Sequence, residues 1–297
     1  MLKLEQIILG GVLPGVASLV VLLVGWRGWS RKDRPRSPWA APLAMSLGFV
    51  AGYIGIHPKH QIPPFTPDVG EDWIFYIAIL AGVIGIFSAL LRLPNVVRAI
   101  FAAGVSALAA YLLISRLPGV FNGPEGTTLL IVSGVAMFLW IVSAEVFAAR
   151  AGGLRASIVL SVLTIATSMI LMMSGSQTIG QWGGAAAATV CAAVPVAFLA
   201  RGSSLAYGAF VIASILGGLL IIGKFYNDPE PPVLHIALLW ATPILAAIST
   251  IPALSRTAGR RAISSAIALA PALLAVTLTA IAFAKAMSEK SNSPYSY

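Results

Sequence analysis

The chain is a series of apolar, uncharged runs about 18 to 23 residues long, set apart by short loops that hold most of the Lys, Arg, Asp and Glu. A run of that length crosses the hydrocarbon core of a bilayer, about 30 Å thick, as one α-helix. Inside lipid a backbone has to satisfy its own hydrogen bonds, which a helix does within a single segment. Of the 297 residues, 58% are hydrophobic and 10% charged. A soluble domain carries about 25% charged residues. A soluble core would not enclose so many wholly apolar helices, and no stretch between the runs is long enough for a separate soluble domain. The predicted fold class is all-α: a polytopic integral membrane helical bundle of about ten transmembrane helices, forming one domain over residues 1–297.

Orientation follows from the loop at residues 27–38. It sets Arg27, Arg31, Lys32, Arg34 and Arg36 against one acid, Asp33. Short cationic loops resist translocation, so this one is expected on the cytoplasmic side. Counting from it puts spans at about 7–26, 39–56, 73–91, 97–115, 127–149, 156–173, 183–200, 205–223, 233–254 and 262–284, with both termini outside. Only Lys3, Lys59, Arg116, Lys224, Lys285 and Lys290 then fall outside, whereas nearly all the acids do. The positive charge follows the first run rather than preceding it, and no convincing small-x-small cleavage site lies before Arg27. That run is expected to be an uncleaved span, in a bacterial inner (plasma) membrane. Pro14, Pro195, Pro243, Pro252 and Pro271 are expected to kink or break spans one, seven, nine and ten.

A net charge of +9 does not point to nucleic acid here, because the basic residues sit in loops beside spans. The partners expected are the lipid bilayer and, at the cytoplasmic basic loops, anionic headgroups; the sequence names no protein partner. Cys191, the single cysteine, leaves no internal disulfide or cysteine metal cluster and reads as a small packing residue. No cofactor is implied: there is no phosphate-cradling glycine motif in a strand context and no Gly-x-Ser-x-Gly elbow. The glycines at 10, 11, 48, 52, 180, 183, 184, 217 and 218 read as close-packing positions. A weak internal echo relates spans two to four to spans eight to ten.

Three polar features stand out. Ser157, Ser161, Thr164 and Ser168 share one face of span six; they are a candidate polar path through the bundle, or they bond helix carbonyls and glue helices together. Glu145 is the one acid inside a span, where a carboxylate is costly and often functional; it also lies about a turn from Arg150, within reach of the interface or of a basic loop residue, which would make Gln tolerable there. His57, His60, Asp68, Glu71 and Asp72 cluster in the proline-rich outer loop. Imidazoles and carboxylates can hold a divalent metal, but the spacing matches no ligand signature and equally describes a solvated loop. His235, after a proline pair, reads as interfacial.

Three functional classes remain: a transporter-like or permease-like protein for a small neutral or lipid-like molecule, a non-catalytic scaffold or accessory subunit, and an outer-face metal-dependent enzyme using residues 57–72. The near absence of charge within spans argues against carboxylate-based ion coupling.

Overall fold

The computed structural model describes residues 8–26, 37–57, 61–117, 123–200, 203–228, 230–255 and 257–291. The basic loop at 27–36 lies outside the described residues, as do Lys3, Lys59, His60, Arg201 and Arg256. The elements are α1 (Leu13–Gly25, entered through a π turn at Ile8–Val12), α2 (Ala40–Ile56), α3 (Trp73–Leu90), α4 (Asn95–Ile114), α5 (Pro124–Ala151) and α6 (Gly153–Met173). They continue with α7 (Gln177–Cys191), α8 (Ala193–Leu199), α9 (Ala206–Tyr226), α10 (Val233–Ile248), α11 (Pro252–Ser255) and α12 (Ala258–Ser291). No strand occurs among the described residues, so the chain is all-α. Eight helical segments are long and apolar enough to cross a membrane, and α2 and α10 are shorter apolar helices that complete the expected ten.

The expected boundaries shift where local chemistry overrides the hydrophobic signal. Span seven begins at Gln177, not 183, because Ser176 caps the helix by accepting the Ile179 N–H at 3.2 Å. The expected outer turn at 174–182 therefore shrinks to a few residues. The same span breaks after Cys191, whose carbonyl would need the N–H that Pro195 lacks. Span nine stops at Ile248 rather than running to 254. Pro252 cannot donate to the Ile248 carbonyl, and Ser249 and Thr250 turn their hydroxyls onto the Ala246 and Ala247 carbonyls, each at 2.6 Å. At the other extreme α12 runs for 34 residues, about 51 Å, so much of the expected tail beyond 284 is helical. The bend expected at Pro14 is a change from π to α register just before it.

The bundle is built around α9, whose apolar window is 94% buried. Helices α2 to α7 all pack against it. Lipid gives apolar helices no drive to associate, so such a centre depends on close contact of small residues. Gly217 meets Met137 of α5, and Gly208 meets Ala41 of α2. The sequence echo has no counterpart in packing: α2 lies along α3, whereas α9 makes no comparable contact with α10.

Successive spans alternate in direction, so charge separates to the two ends. Tyr53, Asp72, Trp182, Tyr226 and Asn227 gather at one end, with Asp68, Glu71, Glu125, Asp228 and Glu230. Arg92, Arg98, Arg150, Arg155, Arg260 and Arg261 lie at the other, where Glu145 is the one acid among the described residues. These are called the acidic and basic ends below.

Candidate functional site

Three of the four hydroxyls on the α6 face, read either as a polar path or as helix glue, donate to main-chain carbonyls. Ser157 donates to the Gly153 carbonyl at 2.7 Å and Thr164 to the Leu160 carbonyl at 2.6 Å, each one turn back in its own helix. Ser168 donates across the turn to the Gly180 carbonyl of α7 at 2.8 Å. Ser161 is buried and its hydroxyl meets no acceptor among the described residues. The structure therefore buries Ser157, Ser161 and Thr164 and leaves Ser168 half-buried, with three hydroxyl hydrogens committed to main-chain oxygens. Cys191 is the last residue of α7 and is half-buried.

Glu145 is buried, 7% exposed, and accepts from Arg98 Nη2 at 2.5 Å. The Arg98 guanidinium also lies over the Tyr207 ring at 4.7 Å. The sequence admits both an acid within a span and a basic loop partner for Glu145; the structure shows it buried and paired with Arg98.

At the acidic end the outer-loop residues divide. Asp72 accepts the Tyr53 hydroxyl at 2.7 Å and sits 3.8 Å from His57 Nε2. Tyr53 has no exposure and is wedged between Trp182 and Phe75, with ring centroids at 4.8 and 5.3 Å. Glu71 is half-buried in the short turn Gly70–Asp72, Asp68 is exposed, and His60 lies outside the described residues. No group of three or more His, Cys, Asp or Glu is placed to hold a metal among the described residues. The network is a clamp: Tyr53 holds the loop onto α2, while Tyr226 donates to the Leu113 carbonyl at 2.9 Å beside Gly70. Removing the hydroxyl in Tyr53→Phe is expected to cost about 1.5 kcal/mol, the low end for a bond to a charged acceptor, since Asp72 is partly solvated. Thermal unfolding of the purified protein measures it.

A concave feature also lies at the acidic end. An open cleft of about 800 Å³ separates the ends of α6 and α12 from the start of α10. Its lining includes the apolar Met172, Phe283 and Met287 and the polar Gln177, Asp228 and His235. Glu230 also reaches the cleft, tied to Lys224 at 2.6 Å. His235 is buried, and its Nδ1 lies 2.8 Å from Thr279 Oγ1 of α12. That hydroxyl is also 2.8 Å from the Ala275 carbonyl, which can only accept. The single hydroxyl hydrogen thus goes to Ala275 and Nδ1–H donates to Thr279, which in the neutral ring leaves Nε2 as an acceptor. Sequence reading placed His235 at an interface and missed Thr279. The available signal was a histidine opening a span, with a polar residue on a later, otherwise apolar helix.

No protein-family model matches the chain, and no curated protein and no solved structure shows significant similarity to it. Fold and composition define the class: an all-α, polytopic membrane protein.

Proposed function

We propose that the protein is transporter-like, binding a small neutral or lipid-like molecule in the cleft between α6, α10 and α12 and passing it across or between leaflets. One observation carries this reading: the cleft is lined both by Met172, Phe283 and Met287 and by the imidazole of His235, which Thr279 holds. Apolar walls with a few placed polar groups suit an amphipathic ligand. The breaks at α7/α8 and α10/α11, and Pro243 and Pro271 inside helices, support it further, since discontinuous helices accompany substrate sites in transporters. The proposed orientation puts the acidic end outside and the basic end in the cytoplasm of a bacterial inner membrane. A reporter fused after Tyr297 that is active only outside the cytoplasm supports that orientation; cytosolic activity rejects it.

The ligand test fills the cleft. Met287 is exposed, so Met287→Trp should fold normally. A panel of uncharged amphiphiles is screened for thermal stabilisation of the wild-type protein, and hits are followed by flux into proteoliposomes. Met287→Trp is expected to weaken binding of a hit at least about tenfold, or about 1.4 kcal/mol. Thr279→Val, which removes the acceptor that orients His235, should weaken hits bearing a hydrogen-bond donor more than hits without one. Absence of any hit, together with a stoichiometric partner retained on purification, would favour the accessory-subunit reading. A specific observation keeps that second reading open: the spanning window of α12 is only 22% buried, which leaves a long face for a neighbour.

A further inference from the structure

We propose that the basic end holds a phosphate-binding site, built on Arg155 and Arg261, whose ligand is the phosphate of an anionic phospholipid headgroup. The inference is independent of the cleft, which lies at the opposite end. Arg155 stands in the first turn of α6, and its guanidinium reaches three hydroxyls. Its Nε donates to Ser265 at 2.7 Å, and its Nη2 donates to Ser249 at 2.8 Å and Ser264 at 3.2 Å. Each serine sends its own hydrogen to a main-chain oxygen, Ser249 to Ala246 and the other two to Arg261. The serines are therefore neutral acceptors that orient the guanidinium and leave its charge uncompensated. The Phe147 ring, 5.7 Å away, supports it from a further side.

Among the described residues no carboxylate pairs with that charge. Glu145, the one acid at this end among the described residues, is taken by Arg98. Arg261 adjoins Arg155 through the shared serines: Ser264 and Ser265, which accept from Arg155, both donate to the Arg261 carbonyl. Both Nη1 hydrogens of Arg155 lack an acceptor among the described residues. The Arg155 guanidinium, held in orientation by the serines, and the exposed Arg261 beside it together offer the donors that suit the oxygens of a phosphate. The position favours a lipid as its source. The site lies at the ends of spanning helices, where headgroups lie, and the exposed Ile263 and Ile267 of α12 offer an apolar flank for acyl chains.

Full-length protein in an uncharged detergent is titrated with phosphatidylglycerol, phosphatidylcholine or inorganic phosphate, with bound lipid read by native mass spectrometry and melting temperature recorded in parallel. Phosphatidylglycerol is expected to bind at least about tenfold more tightly than phosphatidylcholine. Arg155→Gln and Arg261→Gln should each abolish the preference, while Arg150→Gln, at an exposed position on the same end, retains it. Arg261 is exposed, so Arg261→Gln carries the test should Arg155→Gln misfold. A melting shift with inorganic phosphate that depends on Arg261 supports the phosphate site and assigns it to the free ion. Equal binding of the two lipids without a phosphate response, or an Arg261→Gln protein that titrates as wild type, overturns the proposal.

Discussion

Replacing Glu145 by Gln is expected to destabilise the folded protein by about 3 kcal/mol, the low end for breaking a buried ion pair. The loss comes from the partner left behind. The side chains of Arg98 and Glu145 are 12% and 9% exposed, so the guanidinium would keep its charge without its closest anion. Its other contacts are weak: Asn95 Oδ1 at 3.4 Å and the Tyr207 ring, with Nε already unpartnered among the described residues. Arg98 lies near the basic end, where its chain can bend toward water, and this keeps the estimate at the lower limit. Arg98→Gln should cost less, because a lone Glu145 can take up a proton and become neutral. The double variant should lie closer to the wild type than the sum of the singles by about 1 to 3 kcal/mol. Reversible unfolding in mixed micelles measures all three. A Glu145→Gln protein within about 0.5 kcal/mol of wild type would show the pair to be solvated.

Gly52→Val should be still more damaging, preventing the bundle from closing at α2. A Cβ at Gly52 would lie 2.5 Å from the Ala185 Cβ of α7 and 3.0 Å from the Pro14 Cγ of α1. Neither neighbour has a flexible end that could swing aside. A Cβ at Gly48, one turn away, would lie 2.7 Å from Thr189 Cγ2 and 3.0 Å from the Pro14 carbonyl oxygen, so three helices converge on this stripe. Overpacking at one site costs about 1 to 3 kcal/mol when the surroundings relax. Here relaxation means parting α2 from two helices at once, so loss of the monodisperse folded species on size exclusion is the expected result. Gly11→Ala is the control, since nothing lies within 4 Å of its Cβ position; it should behave as wild type.

These two predictions differ in how far the sequence already pointed to them. The Gly48–Gly52 stripe was readable as a flat helix face, because helical spacing alone places the two glycines together. The helices that fill it were not readable, since Pro14 and Ala185 lie far away in the chain. The hydroxyl face of α6 was half-readable. Bonds from Ser157 and Thr164 to carbonyls four residues back are local, whereas the bond from Ser168 to Gly180 depends on the turn set by Ser176. The start of α7 was misplaced because Gly and Ala dilute the apolar signal over 177–190, and a serine cap outweighs hydropathy there.

Span number, class and the separation of charge along the chain are properties of contiguous runs, and a contiguous run reveals its length and charge without reference to anything distant. That is why a polytopic helical bundle could be derived before any coordinates. Which side chains meet is another matter. Glu145 finds Arg98 across 47 positions, and His235 finds Thr279 across 44. The cleft draws on α6, α7, α10 and α12, and the Arg155 site on α6, α12 and the turn after α10. Such meetings are decided by which small-residue faces allow helices to approach, and only the packed bundle around α9 settles that.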